Sequence, residues 1–215
     1  IAPHHKFRFK NALYTLDATI IDLCLSLYDW AKFRTTKGAV KLHVKLNHSG
    51  YLPTFMVVTT GKVHETQMAP SIPLERGDVA IFDKGYTDFK WYKSLDDKGV
   101  FFVTRLKKNA YYQVVERKDV SALKNIYSDQ TIELKGFYSK QKFPERLRRI
   151  RSKDPATGKF ITILTNNFTW SAKTIARIYK ERWQIELFFK SIKQQLKVKS
   201  FVGTSKNALL SQLWV

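Results

Sequence analysis

Residues 77–86 read GDVAIFDKGY. The apolar run Val79–Phe82 is too short for a helix and is bounded by turn residues, so it predicts a buried strand that ends on Asp83 in a glycine-containing turn. An Asp at the end of such a run is costly to bury unless its charge is paired or used. Which strand lies beside this one therefore decides both the fold and the chemistry.

Upstream, LYTLDATII (13–21) is rich in β-formers and reads as a buried strand with Asp17 inside it. GAVKLHVKLN (38–47) alternates and reads as a second strand, LPTFMVVTT (52–60) as a third, with NHSG between them as a hairpin turn. These three form a meander, and 77–86 supplies a fourth strand. Downstream, TDFKWYKSLDDKG (87–99) reads as a helix with Thr87 as N-cap and Gly99 past its end, and VFFVTRL (100–106) as a fifth strand. A meander, a crossing, a helix and another strand predict a mixed α/β sheet. If the fourth strand lies parallel beside the first, Asp17 and Asp83 become neighbours.

From 107 to 160 the pattern changes to short, charged, alternating pieces such as YYQVVERK and ERLRRIRSK, read as a mostly β insertion with basic faces, suited either to gripping DNA or to plain solvation. FITILTNN (160–167) returns to a buried strand, and one long helix is expected over roughly 172–196. The division is 1–106, first part of the core; 107–160, inserted β subdomain; and 161–215, remainder of the core.

Within that helix, residues 179–193 read YKERWQIELFFKSIK. On a helical wheel Tyr179, Arg182, Glu186 and Lys193 fall within roughly 60°, flanked by Ile178, Ile185, Phe189 and Ile192 on one side and by Trp183 and Leu187 on the other. A charged ridge between apolar flanks is costly unless its charges pair or hold a metal ion or phosphate. Asp17, Asp83 and Glu186 supply the hard oxygen ligands that two-metal phosphoryl transfer needs. The competing reading of Arg182 and Glu186 is an ordinary i,i+4 pair worth ~0.2–0.5 kcal/mol. Asp22 and Asp29 read as loop or helix-start residues, His43 and His64 as structural or supporting groups, and Cys24, the one cysteine, as a core residue.

Lys plus Arg number 38 against 18 Asp plus Glu, a formal net charge of +20. Such an excess attracts polyanions, nucleic acid first and a membrane surface second. No stretch is long and apolar enough to span a membrane, and a single cysteine fits a reducing cytosol. The opening IAPHHKFRFK and the closing NALLSQLWV read as the ends of a fragment.

The spacing Tyr179, two residues, Arg182, three residues, Glu186, six residues, Lys193 resembles the YREK signature of DDE transposases of the insertion-sequence-four family. LDAT (16–19) resembles that family's first catalytic block and FDKGY (82–86) its second, where Lys84 stands in place of the usual Arg. The long interval from Asp83 to Glu186 is as in members with a β insertion.

The resemblance implies a ribonuclease H-like mixed sheet flanked by helices. It implies Asp17, Asp83 and Glu186 as the catalytic, metal-binding triad for two Mg²⁺ ions, with Mn²⁺ able to substitute. Tyr179, Arg182 and Lys193 would contact DNA, with Lys190 and Lys84 as further contacts and Trp183 as a candidate stacking residue. The implied activity is cut-and-paste transposition on double-stranded DNA, ends and target, by a synaptic homodimer in the bacterial cytoplasm, associated with the nucleoid when bound to DNA. The family's N-terminal end-recognition domain is expected to be missing from this piece. Two other readings stay open: a ribonuclease H-like nuclease without strand transfer, and a non-catalytic basic DNA-binding remnant.

Overall fold

The computed structural model describes residues 5–23, 32–34, 37–195, 205, 207–208 and 211. Cys24 and Asp29 lie outside them. The first long strand, β1 (Leu13–Leu23), pairs antiparallel with β3 (Lys37–Asn47), which in turn pairs antiparallel with β4 (Pro53–Thr60) and with the short β2 (Lys32–Arg34). This is the expected meander. On the other side of β1 lies β5 (Val79–Phe82), parallel to it, and beyond it β6 (Phe101–Arg105), parallel to β5. Three antiparallel strands with two parallel ones beside the first form the mixed sheet that the sequence predicts.

The segment 107–160 supplies β7 (Tyr112–Lys118), β8 (Ile126–Leu134), the short helix α3 (Phe137–Lys142) and β9 (Leu147–Lys153). These strands join the same sheet through β10 (Phe160–Thr165), which pairs antiparallel with both β6 and β9. The strand order is β2-β3-β1-β5-β6-β10-β9-β8-β7, with β4 against β3.

Residues alternate between the two faces of a strand, and the apolar side chains sort accordingly. Leu16, Phe82 and Phe102 face Tyr86 and the helix α2 (Phe89–Asp97), packing with Trp91, Tyr92 and Leu95. On the opposite face Leu13, Val79, Ile81, Ile150 and Ile163 pack on Ile175, Ile178 and Tyr179 of α4 (Ala172–Lys180). Ile21, Val40, Leu42 and Val58 share that face and pack on Ile185 and Phe189 of α5 (Trp183–Gln195). The sheet is thus covered by helices on both sides. A further short helix, α1 (Glu65–Met68), leads toward β5.

Three local details differ from the expectations. The single helix over 172–196 is instead α4 and α5, separated at Glu181 and Arg182. There the amides of Glu181, Arg182, Gln184 and Ile185 bond carbonyls three residues back, at 3.0, 3.1, 3.0 and 3.3 Å, which tightens one turn. The break falls where the chain passes from the cluster over β6, β9 and β10 to the cluster over β1, β3 and β4, and buried Glu181 is pinned there by Lys6 at 2.7 Å. Secondly, Asp88 rather than Thr87 caps α2, accepting from the Lys90 amide at 2.9 Å, while Gly99 does follow the helix at φ +74°. Thirdly, Asp22 is an exposed strand residue paired with Ala39, not a loop or helix start. Trp183, the candidate stacking residue, is 56% exposed.

One buried ion pair ties the inserted strands to α4. Arg148 of β9 donates to both carboxylate oxygens of Asp129 of β8, at 2.8 and 2.6 Å, and to the carbonyls of Asn167 and Trp170 just before α4, at 3.2 and 2.6 Å. Both side chains are almost fully buried. Removing one partner leaves the other charge unpaired in the interior, so Arg148→Met is expected to destabilise the fold by about 3–5 kcal/mol. Urea denaturation followed by circular dichroism measures this, and an unchanged midpoint contradicts the role assigned to the pair.

Candidate active site

The register of β1 on β5 places the two aspartates. Leu13 lies opposite Val79 and Leu16 opposite Phe82, so Asp17 and Asp83 are the next residues out on adjacent parallel strands. Strand alternation turns both toward the face covered by α4 and α5, the face of Leu13 and Ile81. Asp83 also shapes the turn that follows it: its Oδ1 accepts from the Gly85 amide at 2.5 Å. A Cβ at Gly85 would sit 2.7 Å from that oxygen, so the close approach requires glycine. Tyr86, fully buried under Phe82, anchors the far side of the turn.

The tightened turn between α4 and α5 delivers the remaining groups. Arg182 lies with Nη1 3.5 Å from Asp17 Oδ2, and its Nη2 donates to Glu186 Oε1. One guanidinium therefore bridges the first strand's acid and the helix's acid. The i,i+4 pair exists, but the contact with Asp17 makes it more than an isolated helix pair.

Burial raises the Asp17 carboxyl to about 6; the Ala18 amide, at 2.8 Å, and Arg182 pull it down, while Asp83 and Glu186 push it up. Burial would lower the Arg182 pKa, but the hydrogen bond to Glu186, with Tyr179 and Asp17 nearby, more than offsets it and the net shift is upward. Tyr179 is buried and its phenol is raised by desolvation, although Arg182 and Arg105 pull it back.

Five of the predicted residues thus share one electrostatic neighbourhood: Asp17, Asp83, Glu186, Tyr179 and Arg182. Lys84, Lys190 and Lys193 are exposed and, among the described residues, no carboxylate pairs with them. His43 and His64 stand apart. His43 is buried on β3, lies 3.0 Å from the Thr59 hydroxyl, and is lowered to about 4 first by burial and then by Lys41, so it is neutral at physiological pH. His64 sits at the N-cap of α1.

The sequence reading passed over Arg105. It ends β6 as Asp83 follows β5, and since Ile81 lies opposite Val103 the two are level. A cleft of about 480 Å³ also touches Arg105, but Tyr92, Leu134 and Leu164 in its lining belong to the α2 face of the sheet, and none of the three acids lines it. The available signal was VFFVTR set against VAIFD: two parallel apolar strands ending in opposite charges.

Three carboxylates around one sheet end are the donor set of a hard divalent cation. Among the described residues no three such groups already converge as tightly as one ion requires. Arg182 lies between two of them and supplies the positive charge that Asp17 and Glu186 need. The donor types fit a divalent cation that takes over this charge.

The raised Asp17 pKa has a signed consequence for stability. Its folded value of about 6 exceeds an unfolded value of ~3.9, so the proton's contribution is full below about pH 4 and is lost as pH rises through 6. Asp17→Asn is therefore expected to melt higher than the parent above pH 7 in metal-free buffer, the difference fading toward pH 4. Thermal denaturation in chelator across that range measures it, and a difference independent of pH contradicts it.

Comparison with known proteins gives the family of the chain. The family model for the transposase DDE domain matches residues 9–215. The protein named transposase y4zB in Sinorhizobium fredii is 36% identical over 209 residues, covering 95% of this chain and 58% of that protein. The protein named transposase of insertion sequence element IS5377 in Geobacillus stearothermophilus is 29% identical over 211 residues, covering 96% of this chain and 54% of that one. The chain therefore spans little more than half the length of these relatives. A solved piggyBac transposase synaptic complex with hairpin DNA has a TM-score of 0.49 at 12% identity, covering 95% of this chain and 45% of that one, and nothing about this chain's partners follows from it. With the family model matched along almost its whole length, the chain belongs to the transposase DDE domain family.

Proposed function

We propose that this chain is the catalytic domain of a DNA transposase that cuts the ends of an insertion sequence and joins the freed 3′-OH to target DNA. The observation that carries this reading is the parallel register of β1 and β5, which sets Asp17 beside Asp83 in a chain of this family, with Glu186 linked to Asp17 through Arg182. Asp17, Asp83 and Glu186 would hold two Mg²⁺ ions, for which Mn²⁺ can substitute. When bound, such ions activate the attacking oxygen and stabilise the leaving one.

The chain's own residues do the rest. Arg182 is a fork suited to phosphate, and a phosphate arriving at the site competes with two carboxylates for it. Its transfer to DNA leaves Asp17 and Glu186 free for cations, so substrate and metal binding support each other. Tyr179 lies beside Arg182 and limits where the guanidinium can swing. Lys84, Lys190 and Lys193, exposed and unpaired by carboxylates among the described residues, attract the backbone on either side. In the cutting step a water oxygen bonds to phosphorus as the bond to the 3′ oxygen breaks. In joining, that 3′ oxygen gives up its proton and bonds to phosphorus of a target phosphodiester as the target's own bond from phosphorus to its 3′ oxygen breaks, the leaving oxygen taking up a proton; no covalent enzyme intermediate is required. The working form we propose is a homodimer holding two ends, in the bacterial cytoplasm at the nucleoid.

The test is cutting and joining of end DNA by the full-length protein with Mg²⁺ or Mn²⁺. Asp83→Asn and Glu186→Gln are each expected to lower cutting by at least about a hundredfold while DNA binding persists. Undiminished cutting by either variant sinks the assignment. Pre-cleaved ends bearing a 3′-OH separate the alternatives: a nuclease cuts but never joins, and a non-catalytic remnant does neither.

A further inference from the structure

The two faces of β9 are built differently. Arg148, Ile150 and Ser152 point toward α4, where Asp129 and two carbonyls satisfy Arg148. Arg149, Arg151 and Lys153 alternate onto the other face. Leu147, at the start of that row, packs with Phe143 just after α3, but farther along Arg151 is exposed and Arg149 and Lys153 are half-buried. Tyr127 of β8 and Phe160 of β10 lie beside the row, 51% and 45% exposed.

Each of these cations is held in place by uncharged groups. The Arg151 guanidinium lies 4.4 Å from the Phe160 ring centre and the Lys153 ammonium 5.8 Å from it, and Phe160 stands edge-on to Tyr127 at 4.8 Å. Arg149 lies 5.4 Å from the Tyr112 ring centre and donates to Gln130 Oε1 at 2.7 Å. Among the described residues no carboxylate pairs with any of the three. Three like charges about 6.6–6.8 Å apart along one strand repel each other. With their side chains already ordered, little further entropy is lost when an anion arrives.

Register fixes where the row lies. Asp83 is level with Arg105, Arg105 pairs with Ile163, and Ile163 pairs with Ile150. Arg149 is thus one step inside the level of Asp83, while Lys153, opposite Phe160, is three steps beyond it, about 10 Å. Laterally β9 is three strands from β5, about 14 Å. The row therefore shares the sheet end with the acids but occupies the opposite face. Arg151 and Lys153 already lie against the Phe160 ring. What remains on offer is charge at regular spacing.

We propose that Arg149, Arg151 and Lys153 form a second contact surface for duplex DNA, gripping its phosphate backbone without reading sequence, on the sheet face opposite the acids. This rests on the DNA-transferring reading of the chain but can fail separately from it. The test is fluorescence anisotropy of the chain with a random-sequence duplex over a range of salt concentrations. Changing Arg149, Arg151 and Lys153 together to Gln is expected to weaken binding tenfold or more at low salt and to flatten the log–log salt slope by about 2–3, near 0.9 per phosphate contact.

A control removes the same charge at the far end of the sheet, Lys10, Arg76 and Lys98 to Gln, and is expected to change the slope by less than about 1. The single exposed change Arg151→Gln, expected to lower the slope by about 0.9, guards against misfolding of the triple variant. An unchanged slope in the triple variant, or an equal loss in the control, overturns the second surface while leaving the transposase reading intact. Absence of duplex binding by the parent chain at every salt concentration overturns both.

Discussion

The parallel pairing of β1 with β5 is the constraint on which the rest of this molecule depends. A one-residue slip would turn either aspartate to the other face of the sheet, because side chains alternate with a period of two. The pairing is held by a dense apolar layer on each side, Leu16, Phe82 and Phe102 under α2 and Leu13, Ile81 and Ile163 under α4. Two carboxylates at neighbouring strand ends then repel each other, and Glu186 adds a third charge. The fold accepts that repulsion because Arg182 is brought between two of the three; the elevated pKa of Asp17 comes first from its burial, with Asp83 and Glu186 adding to it.

Much of this was legible in the sequence because the two aspartates interrupt apolar runs. LDATII and VAIFD each state that a strand is buried and that its acid is costly there. The meander was equally legible, since GAVKLHVKLN and LPTFMVVTT flank an evident turn. What could not be read was any feature set by a distant partner. The break between α4 and α5 depends on Glu181 being buried against Lys6, far away in sequence, and on the need to cover two separate apolar clusters. A single helical wheel drawn across 179–193 takes no account of that tightened turn, although Tyr179, Arg182 and Glu186 still meet across it. Arg105 escaped notice for the same reason: its relevance comes from the register of β6 on β5, not from its neighbours in sequence.

The inserted strands show the same limit in another form. In LRRIRSK both faces of β9 carry cations, so alternation alone cannot say which is buried. Arg148 is buried only because Asp129 on the next strand and two carbonyls before α4 satisfy it. Its neighbours Arg149 and Arg151 turn outward onto aromatic supports. One strand thus fastens the insertion to the helix pair that carries Arg182 and Glu186, and presents charge on the reverse side.

The central claim is that Asp17, Asp83 and Glu186 act as one cation site in which Arg182 is the resident charge. Calorimetric titration of Mn²⁺ into the chain tests it most directly, comparing the parent with Asp17→Asn, Asp83→Asn, Glu186→Gln and Arg182→Gln. The account predicts that each carboxylate variant weakens Mn²⁺ binding tenfold or more, whereas Arg182→Gln strengthens it by removing a competitor. Unchanged affinity in any one carboxylate variant, or weaker binding in Arg182→Gln, would contradict it.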